Sequence, residues 1–392
     1  MVSPHELADP ELRRDRRIVV YGLGLILLVG FLLFLPDLVP GSARQVVSDL
    51  AHARIVSVAP VQSGAQPTAT VMVVDGADAG MRVTAVLQGP SSQLQLPDYR
   101  AGDEVVLSID HQPGAPTTYT VIDRWRLPLL GVLATAFVVA AAAIAGWRGL
   151  RAVVSLALTV GFVIRLLIPL LLLGWNPVVL AVVFGIAVTA LSFMLTQGPS
   201  RTTIAALIGT SAGLLVTGIL ALAVTAAAQF TSAQGSDQVV TLGQLVGNRI
   251  DLSGLLLAAV IFGGLGVLND VAMSQAATVE EIASVDPTLR ARDLFARAMN
   301  VGVAHLAATI NTLVFAYLGT ALPLLVILAI QVSSFSAAIN QELIAVEVVR
   351  TLVGSLGILA AVPLTTAVAA SWQGRPADRP APAMAGTGGL EG

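Results

Sequence analysis

Polar side chains are scarce in this chain, so the few that stand among long apolar runs are the first candidates for chemistry. Residues 262–275 read F-G-G-L-G-V-L-N-D-V-A-M-S-Q. Gly263, Gly264 and Gly266 let a helix or a solute approach the backbone closely, and Asn269, Asp270 and Ser274 follow. Asp270 and Ser274 are four apart and share a helix face. A second group holds His305, Thr309, Asn311, Thr312 and Tyr317, with His305, Thr309 and Thr312 on one stripe. A third holds Asn340, Glu342, Glu347, Arg350 and Thr351. Glu347 and Arg350 are three apart and can pair, and the same face leads to Gly354 and Gly357. Arg165 stands alone in the apolar run 158–173 and must either snorkel or find Asp270 or Glu347.

Together these residues suit the binding of an ion, a proton or a small polar solute. The candidates are Asn269, Asp270, Ser274, Asn311, Thr312, Asn340, Glu347, Arg350 and Arg165, with Asp270 and Glu347 as titrating groups. Each has a plainer explanation beside the functional one: a carboxylate at a helix end, interhelical hydrogen bonding, or close packing at glycine. Gly209-Thr210-Ser211-Ala212-Gly213 is read as packing outright.

Much other chemistry is excluded. Cysteine is absent, which removes disulfides, thiolate metal sites and a cysteine nucleophile. Lysine is absent too, so Schiff-base and P-loop mechanisms have no lysine. All-arginine usage reads as GC-rich bacterial coding. His305 has no second ligand nearby, so no metal site is expected, and no cofactor. There is no Walker A, G-x-S-x-G or H-E-x-x-H motif, which argues against an ATP-driven pump. A net charge of −3 offers no basic field for nucleic acid.

The elements that must hold these residues follow from hydropathy. The chain is 55% hydrophobic and 11% charged, with a mean hydropathy of +0.83. Soluble domains carry about 25% charged residues, so the solvent for most of the chain is lipid. Residues 1–17 read as a cytoplasmic N-terminus, because Arg13, Arg14, Arg16 and Arg17 precede the apolar run 18–35. That run, within 18–38, spans ~27 Å and reads as an uncleaved anchor. Residues 41–126 change character. Short Val-, Ile- and Thr-rich runs at 69–74, 82–87, 104–109 and 118–122, punctuated by Gly and Pro, predict a small all-β extracytoplasmic domain such as an open barrel.

From 127 to 371 the chain returns to lipid, with segments at 127–146, 152–174, 177–196, 202–228, 252–271, 301–319, 321–339 and 350–371. Thr278-x-x-Glu281 reads as a capping box, and 290–299 as a short basic surface helix. The expected fold is a polytopic α-helical membrane protein with eight or nine transmembrane segments, its β domain lying between the first and second spans. Segment 321–339 decides the count, since Pro323 opens it and Gln331 and serines interrupt it. A half-helix there leaves eight spans and an inside tail, which suits Arg375 and Arg379. Residues 372–392 are Pro-, Ala- and Gly-rich and read as a disordered tail.

Three stretches together resemble a known family. Gly264-x-Gly266-Val267-x-Asn269-Asp270-Val271-Ala272-Met273-Ser274, then Asn311-Thr312-Leu313-x-x-Ala316-Tyr317, then Asn340-x-Glu342 with Glu347-x-x-Arg350 and Gly354-Ser355-x-Gly357, resemble the YibE/F-like family of bacterial membrane proteins. Where some members have Ile after the serine, this chain has Gln275. The resemblance implies a multi-pass protein of the bacterial cell membrane and supplies no substrate.

The expected function is a secondary transporter or exporter with a polar site in its C-terminal helices, acting on a small solute, ion or lipid. Convergence of Arg165, Asp270, Asn311 and Glu347 on one cavity would favour it. The alternative is an envelope scaffold or accessory subunit that holds a protein partner through the β domain. A third reading, an intramembrane enzyme on a lipid-linked substrate, ranks lowest.

Overall fold

The computed structural model describes Gly30 and residues 49–59, 66–87, 98–111, 116–230, 237–246, 250–331 and 334–374. All of the expected anchor at 18–35 except Gly30, and most of the expected tail, lie outside them. The chain forms two compact units, Arg44–Gly149 and the remainder from Leu150.

The first unit is built on five strands: β1 Asp49–Val58, β2 Thr68–Val73, β3 Arg82–Leu87, β4 Glu104–Asp110 and β5 Thr118–Arg124. They close in the order β1-β2-β3-β5-β4, with β1 returning to β4. All neighbours are antiparallel except β3 and β5. The barrel is therefore closed rather than open, with the five-stranded Greek-key form of an OB-type barrel. Alternation explains the strands. In β4, Val105, Leu107 and Ile109 turn inward to meet Val71, Val73 and Val121. Gly102, at φ +97, makes the turn into β4 that a side chain would resist. Strand β1 was not expected from sequence. Its inward residues are Ala51, Ala53 and Ile55, too small a set to stand out as an apolar alternation.

The helices are α1 Leu127–Phe162, a π-helical turn Val163–Leu167, α2 Ile168–Leu172, α3 Pro177–Thr196, α4 Arg201–Ala228, α5 Asp237–Val246, α6 Leu252–Val285, α7 Ala291–Gln331, α8 Phe335–Ile339 and α9 Glu342–Gln373. Among the described residues, six helical stretches are long and apolar enough to cross a membrane. This is a multi-pass membrane protein. The first stretch, Leu127–Leu172, has 46 residues, about 69 Å of helix and twice what a bilayer core needs. It breaks at Gly146 (φ 57, ψ −137). A β-carbon on Gly149 would strike the Ala141 carbonyl, so the chain turns back on itself there, where the sequence predicted a tight link.

Three expectations fail in the later helices. Segments 301–319 and 321–339 are not divided at Pro323, because one helix runs from Ala291 to Gln331 with Pro323 inside it. Proline costs one backbone hydrogen bond, but in lipid the other backbone groups have no water to turn to, and the helix continues. Likewise 290–299 is no separate surface helix, since α7 begins at Ala291. Thr278 caps nothing. It sits inside α6 and donates to the Ser274 carbonyl. The real caps are Asn176 for α3, Ser200 for α4 and Asp251 for α6.

The tightest pairing joins α4 and α9. Gly209 lies against Thr365, Gly213 against Ala361, and Gly357 against Thr217. Each set steps by four residues in opposite directions, so two antiparallel helices meet along a seam of small side chains. Leu214, Ile261, Ile358 and Val362 fill the core beside it.

Candidate functional site

The most unusual polar group lies where α6, α7 and α9 meet. Gly264 faces Gly354 across the α6–α9 contact, and Leu313 of α7 closes on Gly354. Nearby, Arg350 Nη1 donates to both oxygens of Glu347, at 2.8 and 3.1 Å. The pair is half-buried on a helix whose one other charged residue is Glu342. Tyr317 of α7 is only 9% exposed. Its hydroxyl lies against Gly263, where a β-carbon would come within 2.5 Å, and it is within electrostatic reach of Glu347 and Arg350. Neither that hydroxyl nor Arg350 Nε has a hydrogen-bond partner among the described residues. An unmade bond on a buried polar atom costs about 1–3 kcal/mol, so the site holds unspent hydrogen-bonding capacity.

Two hollows adjoin this part of α9. One is narrow and apolar, lined by Thr225, Phe230, Leu257, Val260, Val346 and Val349. The other is wide and open, and Asn340, Gln341 and Glu342 give it a polar rim. Phe230 and Val349 belong to both. Glu347 and Arg350 each follow a lining residue by one position, which turns them to the adjacent face of the same two turns.

The other candidates fall elsewhere. Asn269 is tied to α3, accepting from Thr189 Oγ1 at 3.0 Å. Asp270 and Ser274 lie on the outward face of α6 with Gly263 and Gly266. Asn311 and Thr312 are exposed on α7, and the Thr312 hydroxyl donates to the Ala308 carbonyl. Arg165 is exposed in the π-helical turn. No hydrogen bond or ion pair joins Arg165, Asp270, Asn311 and Glu347 to one another among the described residues. Only Glu347 and Arg350 of the set are brought together, with Asn340 on the neighbouring rim.

Sequence reasoning passed over several interhelical bonds. Gln275 is buried, and its Nε2 donates to the Ala298 carbonyl at 3.0 Å and to Thr366 Oγ1 at 2.8 Å, joining α6, α7 and α9. Thr202 Oγ1 donates to Glu280 at 2.7 Å, linking α4 to α6. The only forewarning of the first was a polar residue at 275 within an apolar face.

A family model described as YibE/F-like protein matches residues 133–375. The chain belongs to the YibE/F-like family. The match takes in the helices from α1 to α9, including every residue of the Tyr317–Glu347–Arg350 group. No curated protein and no solved structure matches.

Proposed function

We propose that the chain moves an ion or small polar solute across the bacterial cell membrane, with Glu347, Arg350 and Tyr317 as its working group. The observation that carries this reading is a half-buried ion pair on α9 and, within electrostatic reach of it on α7, a buried tyrosine hydroxyl with no hydrogen-bond partner among the described residues. A structural ion pair alone needs no such hydroxyl, whereas a site that exchanges a proton or ligand keeps a donor in reserve. Glu347 is the titrating group. Arg350 is its counter-charge, an entering cation competes with that guanidinium, and Tyr317 offers a further hydrogen bond. Asn340 and the rim around it admit the solute.

An eight-span topology with both termini in the cytoplasm supports the same reading. Taking α7 as one crossing, splitting α1 at Gly146 and counting the anchor at 18–35 gives eight. Arg148, Arg151, Arg201, Arg290, Arg292, Arg375 and Arg379 then all lie on the cytoplasmic side with Arg13 to Arg17. The link before α9 then lies outside the cytoplasm.

The test is proton uptake into proteoliposomes under an imposed potassium diffusion potential, followed with a trapped pH dye. Wild-type protein should exceed empty vesicles, Glu347→Gln should fall to their level, and Tyr317→Phe should fall between. Equal flux in all three refutes the assignment.

The accessory-subunit reading keeps one observation in its favour: polar side chains facing outward on α6 and α7. It predicts that deleting 45–122 abolishes function while Glu347→Gln is silent.

A further inference from the structure

The outward face formed by α6 and α7 carries polar groups that lipid cannot satisfy. On α6, Gly263, Gly266, Asp270 and Ser274 are exposed along one stripe, and nothing lies near the position a β-carbon on Gly266 would take. On α7, His305, Ala308, Asn311 and Thr312 are exposed. The Asp270 carboxylate, the His305 ring and the Asn311 amide have no hydrogen bond or ion pair among the described residues. The two helices run antiparallel, because Gln275 meets Ala298 and Tyr317 meets Gly263. Interpolating between those contacts sets Asp270 level with the turn 305–309. One carboxylate, one imidazole and one amide donor thus share a depth on one face, with Ala304, Ala308 and Gly266 leaving room for close approach.

We propose that this face binds a second copy of the chain across a two-fold axis, with Asp270 of each protomer paired to His305 and Asn311 of the other. The proposal does not depend on the transport reading. A two-fold interface presents the same patch twice, so a patch holding both an acceptor and its donors satisfies itself when doubled. The acceptor and donors here are complementary in hydrogen bonding, and the small residues beside them permit the approach such bonds need in lipid. The apolar run 18–35 offers only Tyr21 as a polar group, so it cannot supply a counter-charge for Asp270.

The natural absence of cysteine makes the test direct. Single Ala304→Cys, Ala308→Cys and, as a control on the exposed face of α3, Val183→Cys are introduced into the full chain and oxidised in native membranes. Covalent dimer is expected at 304 or 308 and not at 183. Adding Asp270→Leu should reduce it at least several-fold. That change makes α6 more apolar, so lost cross-linking would not signal lost insertion. Absence of dimer at both positions, equal dimer at 183, or indifference to Asp270→Leu each overturns the proposal. So does an intramolecular cross-link in Arg17→Cys/Ala308→Cys, which would show that the chain's own N-terminus covers the face.

Discussion

Replacing Gln275 with leucine tests whether the α6–α7–α9 junction is held by polar bonds or by packing alone. Gln275 is 4% exposed and spends its amide on the Ala298 carbonyl and Thr366 Oγ1. Leucine has a similar volume, so the cavity term is small and the loss is chiefly two interhelical hydrogen bonds. Such bonds average about 0.6 kcal/mol in membrane bundles and reach about 1.7. The expected loss is therefore about 1–3 kcal/mol, up to roughly a hundredfold in the folding equilibrium. Thr366 also donates to Val362 within its own helix, so Thr366→Val alone should cost less. The assay is reversible unfolding in mixed micelles, followed by tryptophan fluorescence, on wild type, both single variants and the double variant. A coupling of about 0.6–1.7 kcal/mol between 275 and 366 is expected. Wild-type stability in Gln275→Leu, or strict additivity in the cycle, would refute the reasoning.

Three further outcomes are expected. At the α4–α9 seam, a β-carbon on Gly213 would lie 2.8 Å from Ala361 Cβ and 3.0 Å from the Gly357 carbonyl. Gly213→Ala should therefore cost about 1–3 kcal/mol, and Gly213→Leu should lose the monodisperse peak in size-exclusion chromatography. In the barrel, a hydrogen bond from Arg54 holds the Glu104 carboxyl below its usual range, and one from Arg126 does the same for Asp123. Groups lowered on folding add stability above the ordinary carboxylate range and lose it as pH falls through the lowered values. Pepsin resistance of the barrel in the full chain should thus decline between about pH 4 and pH 3, the ordinary carboxylate range, and resistance unchanged to pH 3 would contradict this. For topology, a reporter fused after Arg379 should be active only in its cytoplasmic form. Activity in the periplasmic form would reinstate a ninth span.

Elements whose evidence is local were legible in the sequence. Strands β2 to β5 announced themselves by alternation and glycine turns, and the membrane helices by hydropathy. Helix α7 was misread because Pro323 and Gln331 look like punctuation, yet in lipid a helix continues through one lost bond rather than expose the rest. The Glu347–Arg350 pair was visible because it spans three residues of one helix. Its companion was not: Tyr317 meets Gly263 across two helices, and no spacing rule links residues so far apart. The same applies to Gln275 with Thr366 and Thr202 with Glu280. Asp270 and Ser274 show the complementary limit. Spacing fixed that they share a face, but the direction of that face depends on how α6 packs against α3 and α7.

The central claim is that Glu347, Arg350 and Tyr317 form a working group rather than a structural one. The most direct measurement is proton uptake into proteoliposomes carrying wild type, Glu347→Gln, and the swapped pair Glu347→Arg with Arg350→Glu. The swap keeps an ion pair on the same helix face but moves the carboxylate one turn along α9 from position 347. A working carboxylate predicts uptake in wild type alone, with all three proteins equally stable. Uptake in the Glu347→Gln variant equal to wild type would contradict it.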